Sequence, residues 1–85
     1  MTLKLRNQVS TADTEYGIVL LDEDSGDYWN LNPTGALVVR TLQAGGSAAD
    51  AAQRLVEEYG VEPDVARRDV EDLVEGLRSA GLVGE

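Results

Sequence analysis

The chain has 85 residues, no cysteine, no histidine, and 16 acidic against 7 basic side chains, for a formal charge of −9. That length allows one domain, expected over residues 1–85, and the missing residue types exclude disulfides, thiolate metal sites and imidazole general bases. A surface this acidic repels phosphate, so neither nucleic acid nor an anionic membrane is an expected partner.

Residues 3–9 alternate, with Leu3, Leu5 and Val9 on one side and Lys4, Arg6 and Gln8 on the other, which predicts a half-buried first strand. Ser10-Thr11-Ala12-Asp13-Thr14 reads as a polar connection. Tyr16 to Asp22 is a second strand, and its nearly unbroken apolar run predicts partial cover on both faces. Glu23-Asp24-Ser25-Gly26 is turn chemistry, and Asp27 to Leu31 completes a hairpin as a short third strand.

At Asn32-Pro33 the period changes from two to 3.6. Asn32 suits an N-cap and Pro33 the first helical position. Leu37, Val38, Thr41 and Leu42 form the apolar stripe of a first helix, which Gly45-Gly46 stops. Ser47 and Asp50 make an imperfect capping box for a second helix. Its inner face is Ala48, Ala51, Ala52, Leu55, Val56 and Tyr59, and Gly60 ends it. Pro63 opens a third helix whose inner face is Val65, Ala66, Val70, Leu73, Val74 and Leu77. Gly81 stops that helix, and Leu82 and Val83 are expected to fold back onto the core. Three strands followed by three helices predict an α+β domain, winged-helix-like, with an N-terminal three-stranded antiparallel sheet on a three-helix bundle.

No apolar run approaches the ~18 residues that cross a membrane. Met1 to Arg6 lacks the apolar stretch of a signal peptide, so a cytoplasmic protein is expected.

Few residues carry chemistry. Asp22 to Asp27 is the densest acidic run, but a calcium loop would need a Glu at the twelfth position, where Pro33 stands, and helical flanks. The run is read as a solvated hairpin turn. Glu57-Glu58 and Glu71-Asp72 fall on solvated helix faces, and Ser10, Ser25, Ser47 and Ser79 have no histidine to activate them. Neither an enzyme, a cofactor nor a metal site is predicted. Arg67-Arg68, the basic doublet, sits among Asp64, Asp69, Glu71, Asp72 and Glu75, so local ion pairs such as Arg68 with Asp64 or Asp72 are expected rather than contacts to DNA.

The third strand is the sharper feature. Alternation puts Trp29 and Leu31 on one face, Tyr28 and Asn30 on the other. No Lys or Pro blocks this edge before Pro33, so its unpaired N–H and C=O groups can template another strand. If the third helix packs alongside, an extended peptide could add there, held by main-chain bonds and selected by side-chain pockets.

The pattern Leu20-Leu21-Asp22, Gly26, Tyr28-Trp29-Asn30-Leu31-Asn32-Pro33-Thr34-Gly35, Asp69-Val70 and Gly81-Leu82-Val83 resembles the PqqD-like proteins. These are the leader-binding elements of ribosomal peptide natural-product pathways. The resemblance covers nearly the whole chain and is nearest to the stand-alone members of lasso-peptide clusters. The members serving pyrroloquinoline quinone are the next relatives. It implies that the leader of a precursor peptide pairs antiparallel with the third strand, against the third helix. The precursor then passes to a separate leader peptidase of cysteine-protease type, with an ATP-dependent cyclase as a further partner. Leaders of lasso type commonly carry Tyr-x-x-Pro, whose ring and proline would seek apolar pockets. By position, Tyr28, Trp29, Asn30 and Leu31 would face the leader, with Arg67, Val70, Leu73, Val74 and Leu77 as groove candidates. Which of these helix residues line a groove and which fill the core stays open. Asp69 matches the family's recurrent acid, with a structural bond to the strand or the helix start as its other reading. The alternative functions are a peptide chaperone for another such pathway, a winged-helix DNA-binding regulator, and a scaffold that never touches substrate.

Overall fold

A computed structural model describes residues 4–83. Strands β1 (Val9–Thr14), β2 (Gly17–Asp22) and β3 (Tyr28–Leu31) precede helices α1 (Pro33–Gln43), α2 (Ala48–Tyr59) and α3 (Pro63–Ser79). The sheet is antiparallel in the order β1-β2-β3, with Val19 opposite both Ala12 and Asn30. The expected α+β layout is therefore the observed one.

The first strand is displaced from its expected position. Ser10 to Thr14, read as a connection, pairs with β2 residue by residue. Its polarity reflects an edge strand with little cover: only Val9 of the six residues is half-buried. Leu5 instead forms an isolated bridge with Val83 and packs against the core; Leu3 lies outside the described residues.

Helix ends follow local chemistry. Asn32 accepts from the Gly35 N–H at 2.9 Å. The Ser47 hydroxyl accepts from the Asp50 N–H while the Asp50 carboxylate accepts from the Ser47 N–H, both at 3.0 Å, so the capping box is complete despite the shorter acid. Gly60 closes α2 in the left-handed region, at φ 66°. Ile18 and Leu20 of β2, Val39 and Leu42 of α1, Leu55 of α2, Val70 of α3 and Leu82 form the centre of the core. Val65 and Tyr59, expected inside, are largely exposed. Among the described residues, no helix is long and apolar enough to cross a membrane.

The acidic turn is only partly solvated. Glu23, Asp24 and Asp27 are exposed, but Asp22 is buried and paired with the Arg6 guanidinium, which also reaches Asp24 at 3.5 Å. The Arg6 N–H donates to the Leu82 carbonyl at 2.8 Å. Arg6 thereby ties the hairpin turn to the segment after α3. Burial pushes the Asp22 carboxyl up, yet the Asp24 amide, the Arg6 charge and the Ser25 amide together hold it below the ordinary aspartate value. The Ser47 backbone and hydroxyl do the same for Asp50. A carboxyl whose folded-state pKa lies below its unfolded value adds stability that is complete above the unfolded value, about 3.9, and fades as pH falls through the folded one. The urea midpoint should thus fall as pH drops below about 4, with a flatter acid limb in Asp22→Asn; an unchanged limb would remove Asp22 from the account.

Candidate functional site

β3 has β2 on one side and, among the described residues, no strand on the other. Its ladder can be read from the turn beside it. The Asp22 N–H donates to the Asp27 carbonyl at 2.9 Å, which makes that pair a hydrogen-bonded one. Antiparallel pairs alternate between bonded and non-bonded, so Leu20–Trp29 and Ile18–Leu31 are bonded pairs in the observed register. On the other side of β2, the Glu23 N–H donates to the Gln8 carbonyl at 2.8 Å, which fits the same alternation. The main-chain groups of Trp29 and Leu31 therefore point at β2. Those of Tyr28 and Asn30 point away from the sheet, at the free edge.

The side chains divide as alternation predicts. Trp29 and Leu31 are half-buried and pack against the core. Tyr28 is 64% exposed, and Asn30 is exposed beside it. The outer face of β2, expected to be partly covered, is so: Val19 is half-buried and Leu21 is exposed there.

No Cα of α3 lies within 8 Å of a Cα of β3. Where β3 runs into α1, a cleft of about 310 Å³ opens between Asn32, Thr34 and Gly35 on one side and Asp69, Asp72 and Leu73 on the other, floored by Val38, Leu55 and Val61. An apolar floor under an acidic rim suits a side chain with an apolar body and a polar or cationic tip.

Among the helix candidates, Asp69 and Leu73 line this cleft. Val70, Val74 and Leu77 do not line it and are buried in the core. Arg67 lies elsewhere, over the seam between α2 and α3 with Ala52, Val56 and Pro63, and pairs with Asp64 at 3.2 Å. That pair forms at a spacing of three, in place of the expected pairing by Arg68. The α3 N-cap is Glu62, with no side-chain capping bond, so Asp69 is not spent on the helix start. Of the cleft residues, sequence reasoning missed Asn32, Thr34, Gly35, Val38, Leu55, Val61 and Asp72 as site residues. Asn32-Pro33-Thr34-Gly35 was legible as a helix start and as part of the family pattern, not as a cleft wall, and Val61 lies in the short link between α2 and α3. Among the described residues, no group of three acidic, histidine or cysteine side chains could hold a metal ion.

The family described as coenzyme PQQ synthesis protein D (PqqD) matches residues 17–83. A lasso peptide synthetase B1 complexed with the leader peptide is 47% identical, with all of each chain covered and a TM-score of 0.92. TbiB1 in complex with the TbiA(beta) leader peptide is 25% identical over 94% of this chain and 93% of that one, with a TM-score of 0.84. No curated protein matches the chain significantly.

Proposed function

The chain belongs to the PqqD family, and on that premise we propose that it captures the leader of a ribosomally made precursor peptide in lasso-peptide biosynthesis. The leader adds as a fourth strand to β3, in the cytoplasm where the precursor is made. The domain performs no chemistry itself. It presents the leader to a separate leader peptidase of cysteine-protease type, after which a cyclase acts on the remainder.

The observation that carries this reading is the free edge of β3. Two residues, Tyr28 and Asn30, offer main-chain donors and acceptors to a gap that α3 leaves open, and main-chain pairing of that kind captures extended peptides. The resemblance to the synthetase B1 with its leader, at 47% identity over the full chain, supports the pathway. In this reading Trp29 and Leu31 flank the leader's inward side chains, Asp69 and Leu73 wall the cleft that receives one of them, and Val70, Val74 and Leu77 hold α3 in place from beneath. Arg67 contributes only through its pair with Asp64.

Fluorescence anisotropy of a labelled synthetic peptide, spanning the leader of the precursor encoded beside this gene, tests the reading. Saturable binding is expected. Trp29→Ala and Leu73→Ala, checked for folding, should each weaken it by ~1–3 kcal/mol as anchor residues do. Wild-type affinity in a folded double variant would remove the site. No binding at tens of micromolar would remove the function and leave the fold.

A further inference from the structure

Gly76 sits in the middle of α3, where glycine is costly because it surrenders more backbone freedom than alanine and adds no packing. Among the described residues nothing requires it. A Cβ built at Gly76 meets no atom within 4 Å. A bare backbone of this kind permits a close approach by a ligand or another backbone.

Its position says which approach. Asp69, Asp72 and Leu73 line the cleft, and Gly76 follows Leu73 by three and Asp72 by four, on the same side of the helix. Leu73 lies near Asn32 and Gly35, at the far end of β3. Beyond the other end of α3, Leu82 is bonded to Arg6, which pairs with Asp22 and Asp24 at the β2–β3 turn. α3 therefore runs back along β3, from its Leu31 end towards its Tyr28 end. One helical turn is ~5 Å and a strand residue ~3.3 Å, so a turn beyond Leu73 brings Gly76 about one and a half strand residues back from Asn32, level with Asn30 and between the inward-facing Trp29 and Leu31.

We propose that Gly76 is a notch in the α3 wall of the peptide groove, kept free of a side chain so that a large apolar side chain of the bound strand can lie against the helix. The inference rests on the strand-addition reading above. The occupant is the leader residue opposite Trp29. Tyr28 and Asn30 take the main-chain bonds, so that residue forms a non-bonded pair with Trp29, the closer of the two antiparallel pairings. Its side chain points to the inner face, between the indole and α3, and an aliphatic or aromatic group beside Trp29 is favoured there.

The proposal makes stability and affinity move in opposite directions. Gly76→Ala should raise the thermal midpoint by roughly 2–8 °C, from helix propensity acting on a domain of this size. Gly76→Leu, which enters open space and also favours the helix, should fold at least as well as wild type yet bind the labelled leader peptide at least ~10-fold more weakly. Glu75→Leu, which adds similar bulk about 100° around the helix, on the flank it shares with Val74 and Arg78 and away from the cleft, should bind as wild type. Failure of the wild-type protein to bind the peptide would overturn the strand-addition reading and this inference with it. Wild-type binding with an unchanged affinity in Gly76→Leu, or an equal loss in Glu75→Leu, would overturn the notch alone.

Discussion

Asn30→Pro should leave the domain folded and lower leader affinity by at least about tenfold, and the reason lies in which way one N–H points. Proline has no N–H and is tolerated in a sheet only where that group faces solvent. In the register of β2 with β3, the Trp29 and Leu31 N–H groups belong to the ladder, whereas that of Asn30 faces the free edge. The substitution therefore costs no bond to β2. It removes a donor that an incoming strand needs and puts the pyrrolidine ring where that strand's carbonyl would lie. A main-chain bond is worth about 0.5–1.5 kcal/mol net, and about 1.4 kcal/mol is tenfold in affinity, so the lost bond and the obstruction together reach that factor. Leu31→Pro is the contrasting variant. It cuts the bonded Ile18–Leu31 pair and should destabilise the sheet itself. Circular dichroism and urea unfolding separate the two, and anisotropy then reads binding in the folded one. Unchanged affinity in folded Asn30→Pro would exclude pairing at this edge, whatever the side chains contribute.

What the sequence made legible was local. Asn32, Ser47 with Asp50, Gly60 and Pro63 mark helix ends because each satisfies, or omits, backbone groups within a few residues of itself. Trp29 and Leu31 sort from Tyr28 and Asn30 by the period of a strand alone. The first strand was misplaced because β1 is an edge with one half-buried residue, so pairing rather than periodicity defines it. Leu5, whose alternation pointed to a strand, is held instead by Val83, nearly eighty positions away. The cleft was invisible for a similar reason. Val38, Leu55 and Val61 read as ordinary core or linker positions, and only the meeting of α1 and α2 with the middle of α3 turns them into a floor. Asp22 looked like one acid of a solvated run until Arg6 was brought to it.

Gly17→Ala should be the most damaging small substitution in the chain, at about 3 kcal/mol or more. Gly17 opens β2 at φ 151°, and a Cβ there would stand 1.9 Å from the Leu31 carbonyl oxygen and 3.0 Å from the carbonyl carbons of Leu31 and Asn32. The obstructing atoms are backbone, so no rotamer change relieves the clash. Either β2 yields, which breaks the Ile18–Leu31 pairing above a core that includes Ile18 and Leu20, or the β3–α1 junction moves. A domain of this size is expected to hold about 4–13 kcal/mol in all, so the loss is a large share of its stability. The second route matters for function. Leu31 closes β3, and Asn32 both caps α1 and lines the cleft, so a Gly17→Ala chain that stayed folded would present a displaced edge and a distorted cleft. Urea unfolding of Gly17→Ala measures the first consequence and anisotropy at low temperature, where the variant is folded, measures the second. A midpoint within error of wild type would mean that the β3–α1 junction is compliant. The close packing of Gly17 beneath it would then not be what fixes the edge on which peptide capture depends.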